Sequence, residues 1–178
     1  MKVFLLIALM SVVLLGNTEA QATLSRLLPE SSTYEGTTFY SEESDFGFLR
    51  GRIDFAIYDR EGANEFENSG FSAPGEGRYI YAYQIFNDYE GISESPLGMF
   101  SLFNGEGTAL DVEYIDSVSD DSGGVEPTDQ AMEDSGSSAV WKFQDPNNGA
   151  ALLEVGDHSW LLLLTSESDW VTGDYDVE

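Results

Sequence analysis

The residues best suited to chemistry form an acidic cluster near the middle of the chain. Five carboxylates lie within eleven residues, just before a Gly-Gly pair: Asp111, Glu113, Asp116, Asp120 and Asp121. Calcium binds through several oxygen ligands, so Asp116, Asp120 and Asp121 are candidate calcium ligands. The spacing lacks the alternating acids and distant Glu of an EF-hand loop. A solvated acidic loop without metal is therefore the first interpretation and a calcium site the alternative, and no cofactor is required.

Catalytic groups are scarce. His158, in EVGDHSW, is the single histidine, and the chain has no cysteine. A Ser-His-Asp site would have to use His158, but no Gly-x-Ser-x-Gly elbow accompanies it. We predict that His158 is a turn residue before the last strand. The sequence therefore predicts a protein that is not an enzyme, and a glycosidase built on two carboxylates stays open because acids are abundant.

Tryptophan side chains could stack on sugar rings. Trp141 and Trp160 lie within apolar segments, which favours positions in the core. Trp170 lies between SESD and VTGD, among polar residues. An aromatic ring that stays exposed offers a flat apolar face to a ligand. Trp170 is therefore the candidate stacking residue of a carbohydrate-binding module.

The charge balance restricts the partners. The chain holds 33 Asp and Glu against 7 Lys and Arg, for a formal net charge of −26. Nucleic acid is excluded as a partner because phosphate contacts need clustered Lys and Arg. An anionic membrane surface is disfavoured for the same reason.

The first residues predict export. Lys2 is followed by an apolar run that reaches Leu15, and the small residues Ala20 and Ala22 come next. This order is typical of a secretory signal peptide over residues 1–22. We expect a secreted or extracellular protein, with the periplasm or cell surface as alternatives, and no membrane insertion after cleavage.

The mature chain, residues 23–178, is predicted to be one domain made of strands. Apolar residues alternate with period 2 in RIDFAIY (52–58), RYIYAYQIFND (78–88) and AVWKF (139–143). Several such strands in one domain predict an all-β fold, a single antiparallel β-sandwich of immunoglobulin-like or jelly-roll-like type. An acidic loop or insertion is expected at about 116–138, where Ser, Gly and acids replace the apolar pattern.

The strand YAYQIFN resembles the strand ending in Asn that recurs in immunoglobulin-like bacterial surface modules. The resemblance implies that Tyr83 and Ile85 face the core, while a platform on which a ligand stacks is the alternative. The opposite face of that strand then needs cover from the acidic loop or the N-terminal segment.

The strand motifs as a set, including VWKF and SWLLLLTSESDW, resemble secreted bacterial proteins of the kind that often carry a PEP-CTERM sorting tail. The resemblance implies an exported, non-catalytic structural or adhesive component of the cell surface or matrix. Its expected partners are polysaccharide or other surface proteins. A carbohydrate-binding module is the alternative, followed by a glycan-active enzyme. The expected tail motif, Pro-Glu-Pro followed by an apolar helix, does not appear.

Overall fold

A computed structural model describes most of the region predicted to be the mature domain. The described residues are 27–44, 47–87, 93–103, 112–119, 121–134, 137–143, 152–168 and 174–177. The predicted signal peptide over residues 1–22 lies outside them. Within these ranges, no helix is both long and apolar enough to cross a membrane.

Strands dominate the described residues. Their bounds are β1 (Tyr34–Ser44), β2 (Gly47–Asp59), β3 (Tyr79–Phe86), β4 (Met99–Phe103), β5 (Tyr114–Val118), β6 (Asp129–Glu133), β7 (Ser138–Lys142), β8 (Leu161–Ser166) and β9 (Asp174–Val177). One short helix, α1 (Glu65–Asn68), lies between β2 and β3.

The strands form two antiparallel sheets. The first sheet has the order β1-β2-β3-β8-β5, and the second has the order β6-β7-β4-β9. Apolar side chains from both sheets meet in one cluster, which includes Ile53 and Leu162 from the first sheet and Phe100 and Trp141 from the second. The predicted antiparallel β-sandwich is confirmed.

The inner face of β3 belongs to this core, as the sequence predicted. Ile85 is fully buried, and Tyr81 and Tyr83 pack against the cluster from the same face. The ring centroid of Tyr83 lies 6.1 Å from that of Phe100 and 6.5 Å from that of Trp141. Tyr83 therefore fills the space between the sheets and is not part of an exposed stacking platform.

The outer face of the first sheet is covered in part by a second apolar cluster. Phe66 of α1 and Leu28 of the N-terminal segment pack there against Ile80, Ala82 and the strands beside them. The N-terminal segment was an expected cover. The acidic region was the other, but among its described residues only Val118 packs against this cluster. Most of the cover instead comes from the connection between β2 and β3.

Arg60 holds that connection in place. Its Nη1 atom donates to the carbonyl oxygens of Gly75 and Gly77 at 3.0 and 2.9 Å, and Nη2 donates to that of Ala73 at 3.3 Å. One guanidinium carries five N–H donors in a fixed fork, so it can satisfy several loop carbonyls at once. The loop that carries Phe66 is thereby fastened to the end of β2.

The prediction of one acidic loop or insertion at about 116–138 is wrong in part, because strands occupy some of that span. β5 continues to Val118, and β6 occupies Asp129–Glu133 within that span. β6 is an edge strand of the second sheet, where Met132 packs on the core beside polar neighbours. An edge strand that buries so little apolar surface gives a weak period-2 signal, so the sequence pattern resembled a loop.

Gly51 fixes how β1, β2 and β3 fit together. A Cβ atom at this position would collide with the carbonyl oxygen of Phe86 and the hydroxyl of Tyr40. The absent side chain lets the Tyr40 hydroxyl cross β2 and donate to the Phe86 carbonyl at 3.1 Å. Gly51 is therefore required by close packing in the middle of a strand.

Candidate functional site

The first calcium candidate, Asp116, takes part in the junction between the sheets. Its Oδ1 atom accepts hydrogen bonds from the Ser117 amide at 2.8 Å and from Gln130 Nε2 at 3.1 Å. Its backbone carbonyl accepts the Trp141 Nε1 hydrogen bond at 3.0 Å. Because β5 and β6 are the edges of different sheets, these bonds fasten the two sheets together on one side.

The other two calcium candidates are not brought into a shared site with it. Asp121 is exposed, in a left-handed backbone conformation with φ 58°, and Asp120 lies outside the described residues. Across the residues that the structure describes, no group of three or more Asp, Glu or His side chains could hold a metal ion. A calcium site at these residues stays a prediction.

The candidate stacking residue, Trp170, also lies outside the described residues. Trp141 is fully buried, as predicted, and Trp160 is partly buried. Exposed rings occur elsewhere, on strands at the two edges of the first sheet. The exposed fractions are 50% for Phe39 and 39% for Phe48 at one edge and 49% for Tyr114 at the other. The exposed aromatic surface is thus richest at the hairpin of β1 and β2.

Phe39 and Phe48 lie on the same outer surface as two arginines. In the continuous register of this hairpin, Phe39 lies opposite Arg52, and Phe48 is four residues before Arg52 on β2. Alternate residues of a strand share a face, so Phe48, Arg50 and Arg52 all point away from the core that holds Leu49. We call the surface formed by Phe39, Phe48, Arg50 and Arg52 the hairpin face.

Each arginine of the hairpin face is held by an aromatic ring. The guanidinium carbon of Arg50 lies 5.1 Å from the centroid of Phe48, and that of Arg52 lies 4.1 Å from the centroid of Phe86. A cation over an aromatic ring is attracted by the electron-rich face of that ring. These contacts hold the guanidinium groups beside the rings on the outer face of the sheet.

Arg52 is fixed from a second side by a buried carboxylate. Its Nε atom lies 3.3 Å from Asp54 Oδ1, which also accepts the Thr37 hydroxyl at 2.7 Å. Asp54 is only 1% exposed. A buried charge needs an opposite charge and hydrogen bonds to be tolerated, and Arg52 and Thr37 supply them. Arg52 therefore has a structural role within the hairpin face.

Arg50 differs from the other basic side chains that the structure describes. Four of the five lie within 4 Å of a carboxylate: Arg52 at Asp54, Arg60 at Glu67, Arg78 at Asp59 and Lys142 at Glu133. Arg50 has no such ion pair among the described residues. Its guanidinium contacts the Phe48 ring, and Glu43 lies opposite Phe48 on the same face of the hairpin.

His158 connects Phe86, which lies beside Arg52 of the hairpin face, to the segment that contains Ser122. Its ring lies 5.7 Å from the ring of Phe86, and its Nε2 atom is 2.8 Å from the Ser122 hydroxyl. The backbone around it is paired as well, since the Val125 amide donates to the His158 carbonyl at 2.8 Å. The prediction of a turn residue is wrong for His158, because it is buried and forms an antiparallel bridge with Phe86 just before β8. Its contacts fasten the segment after Asp121 to the start of β8.

Two carboxyl groups have pKa values below their usual range. The hydrogen bond from Arg78 lowers the pKa of Asp59, and hydrogen bonds from Ser32 lower that of Glu65. Both shifts favour the ionised form. The general acid of a glycosidase needs a raised pKa, so neither carboxyl suits that role.

The chain matches no protein-family model, no curated protein and no solved structure. A functional interpretation therefore depends on the geometry. The hairpin face is not among the sites predicted from the sequence, although the sequence contains two signals for it. Arg50 and Arg52 have the two-residue spacing that places both on one face of a strand, and FLRGR contains Phe48 in the same alternation.

Proposed function

We propose that the mature protein is an exported, non-catalytic structural or adhesive component of the cell surface or extracellular matrix, and that the hairpin face is its contact surface. The observation that carries the proposal is the pair of exposed rings, Phe39 and Phe48, beside Arg50 at an edge of the sandwich. Exposed aromatic and Arg side chains are enriched where proteins bind partners.

The charge supports the same proposal. A net charge of −26 keeps the domain soluble and discourages copies from associating without specificity. Four of the five described basic side chains are paired with carboxylates, so the remaining surface is strongly acidic. We therefore expect a partner to bind at the hairpin face, where the exposed rings of Phe39 and Phe48 lie near Arg50. The sequence resemblance to exported PEP-CTERM proteins stays a prediction in line with this proposal.

A carbohydrate-binding module is the second candidate. It is favoured by the position of the two phenyl rings on a sheet surface beside a polar group, because carbohydrate sites combine apolar faces with a few placed polar side chains. Both candidates use the same surface and differ in what that surface contacts.

The proposal is tested by expressing the full chain with a C-terminal epitope tag in the organism that encodes it. We expect mass spectrometry to find an N-terminus created after Ala20 or Ala22, and fractionation to find the protein with the cell surface or matrix. An uncut chain in the cytoplasm would contradict the proposal.

The contact surface is tested by the double substitution Phe39→Ser and Phe48→Ser. We expect this variant to move from the surface or matrix fraction into the medium. Tyr114→Ser is the matched control, since Tyr114 is equally exposed at the opposite edge of the same sheet. The control should remain in the surface or matrix fraction.

A further inference from the structure

We infer that the outer edge of β1, the side away from β2, pairs with an extended segment of a partner protein whose basic residues face Glu35 and Glu43. The inference rests on the proposed surface function and specifies the chemistry of its partner. β1 borders the hairpin face and contributes Phe39 to it. Three features of the described residues carry the inference: the length of the open edge, the order of side chains along it, and its acidity.

The open edge of β1 is long for an edge strand. β1 covers 11 residues, whereas the other edge strands, β5, β6 and β9, cover 5, 5 and 4. Among the described residues, β1 pairs only with β2. Alternate residues of an edge strand direct their backbone N–H and C=O groups outward, so β1 offers about five such residues to a further strand.

β1 lacks two features that commonly prevent pairing at a sheet edge, which are prolines and β-bulges. The segment YEGTTFYSEES contains no proline, and all 11 of its residues have a partner on β2 in one continuous register. Charged side chains are another protection of edge strands, and in β1 every charged side chain is acidic. Such a strand repels an acidic neighbour and attracts a basic one, so it selects its partner by charge.

The side chains on the outer face of β1 have a symmetric order. Phe39 lies opposite Arg52, and Glu43 lies opposite Phe48, so both belong to the face that carries the arginines. Glu35 follows the same alternation, and Phe39 lies midway between the two glutamates. All three side chains are exposed, and the exposed fraction of Phe39 is 50%. An added strand with basic residues near both ends and an apolar residue at its centre would match this order.

The arginines of the hairpin face restrict where those basic residues can lie. Arg50 and Arg52 lie on β2 behind the central part of β1, at two strand spacings or about 10 Å from an added strand. The residues opposite Glu35 and Glu43 on β2 are neutral. A lysine at the centre of the partner segment would therefore approach two cations, whereas lysines near its ends would approach carboxylates.

A second copy of β1 is a poorer occupant. If two copies paired in antiparallel orientation about Phe39, Glu35 of each copy would lie opposite Glu43 of the other. Like charges directly opposite each other destabilise a sheet. Each copy would also bring a net charge of −26 to the contact. The partner is therefore expected to be a different chain with a basic segment.

The test uses the mature protein and a capped threonine peptide with isoleucine at its centre and one lysine four residues to each side. Threonine and isoleucine favour the extended conformation. Isothermal titration calorimetry measures the affinity at about 0.15 M salt, where a Debye length of about 8 Å screens the attraction of distant acids. We expect replacement of both lysines by glutamate to weaken binding at least about tenfold.

Backbone pairing is tested with N-methylated forms of the same peptide. Only alternate residues of the peptide donate their N–H groups to β1, so methylation of one alternate set should abolish binding and methylation of the other should be tolerated. Amide hydrogen exchange gives a second measurement. In the complex, we expect exchange to slow at those residues of β1 whose N–H groups point away from β2.

Variants locate the site. The double substitution Glu35→Gln and Glu43→Gln should weaken binding of the lysine peptide about fivefold. Glu76→Gln with Glu126→Gln is the matched control, since both residues are exposed, lie outside β1 and carry the same charge. Gln at position 35 can still accept the hydrogen bond that Glu35 receives from the Ser31 amide. Circular dichroism of each variant checks that the sandwich remains folded.

Specific outcomes would overturn the inference. They are no binding of the lysine peptide, equal binding of the lysine and glutamate peptides, equal binding of the two methylated forms, unchanged exchange in β1, or equal affinities of the two double variants.

Two further outcomes would identify a different occupant and would also overturn the inference. The first is a dimer of the protein alone, seen by ultracentrifugation, in which the β1 amides are protected. The second is surface retention that is lost after enzymatic removal of polysaccharide. If retention still depends on Phe39 and Phe48, the proposed surface function stands without this partner. If the protein stays uncut in the cytoplasm, the proposed function fails whatever the peptides show.

Discussion

The two lateral edges of the sandwich are built in opposite ways. At one edge, β5 and β6 belong to different sheets but are joined by side chains, with Trp141 donating to the Asp116 carbonyl and Gln130 bonding to the Asp116 carboxylate. At the other edge, β1 pairs only with β2 among the described residues, and Phe39 is half exposed.

The difference shows how a strongly acidic chain divides its polar residues between stability and contact. Asp116 was a candidate metal ligand because of its acidic neighbours, but in the fold it closes a sheet edge. Arg50, in the short motif FLRGR, lies in the hairpin at the edge that is left open. The role of each charge is decided by what the fold places against it, and the local density of charges does not predict that role.

The largest expected effect comes from the closed edge. Trp141→Ala removes a fully buried indole that both fills the core and bonds to Asp116, and we expect it to lower the free energy of unfolding by about 4 kcal/mol. Urea denaturation measures this loss. Trp141→Phe should retain much of the packing and lose the hydrogen bond, so its effect should be smaller. A loss below about 1 kcal/mol for the alanine variant would contradict the role given to this edge.

The open edge also contains one strongly stabilising group. Asp54→Ala removes the buried carboxylate that contacts Arg52 Nε and accepts the Thr37 hydroxyl hydrogen bond, and it should cost about 3 kcal/mol, although these residues belong to the outer face of the sheet. Asp121→Asn is the control, since Asp121 is exposed and Asn tolerates its left-handed backbone, so the stability should change by less than about 0.5 kcal/mol. Equal effects in urea denaturation would mean that the hairpin face is not rigidly supported.

Alkaline pH should lower the free energy of unfolding through the buried tyrosines Tyr40 and Tyr83. Burial raises the pKa of Tyr40, at the open edge, and burial with a contribution from Tyr81 raises the pKa of Tyr83 at the centre. The neutral form is favoured in the fold, so this stability is complete below about pH 10 and declines at higher pH, where the unfolded chain ionises first. We expect a loss of about 1.4 kcal/mol per tyrosine at about pH 11.

The tyrosines can be separated by substitution. Tyr40→Phe and Tyr83→Phe should each reduce the difference in unfolding free energy between about pH 8 and about pH 11. Tyr40→Phe should also cost about 1 kcal/mol at neutral pH, because its hydroxyl donates to the Phe86 carbonyl. An unchanged pH dependence in both variants would show that other groups cause the alkaline loss.

The smallest effect concerns Asp116. Asp116→Ala should cost about 1 kcal/mol, the value of the hydrogen bonds that its carboxylate accepts. Because that carboxylate is engaged in closing the sheets, we expect about 1 mM calcium to raise the melting temperature no more than ionic-strength-matched sodium. An excess with calcium that disappears when Asp116, Asp120 and Asp121 become Asn would instead establish the metal site.

The sequence predicted the central strands well and the edge strands poorly. β2, β3, β7 and β8 bury apolar residues and carry strong patterns. β1, β6 and β9 lie at sheet edges or are short, and they escaped detection. An edge strand has one neighbour and mixes polar with apolar residues, so its pattern approaches that of a loop.

The candidate site could be predicted only in part. Alternation places Arg50 and Arg52 on one face of β2, but it does not say whether solvent or another segment covers that face. The answer depends on where Phe66 and Leu28 pack on that face, and Arg60 holds the connection that carries Phe66 through bonds to the Gly75 and Gly77 carbonyls. Contacts of that kind follow from the whole fold, and no local pattern of residues contains them.

Gly51 limits how the hairpin can be assembled. If β2 slipped by one residue against its neighbours, Arg50 or Arg52 would enter the position where even a Cβ atom collides with the Phe86 carbonyl and the Tyr40 hydroxyl. The same slip would turn the arginines toward the core and the core residues toward water. Only a residue without a side chain fits at position 51, so Gly51 favours this one alignment of the strands. We therefore expect the steric collision to disfavour misaligned hairpins, so that the surface with Phe48 and Arg50 forms in the observed register.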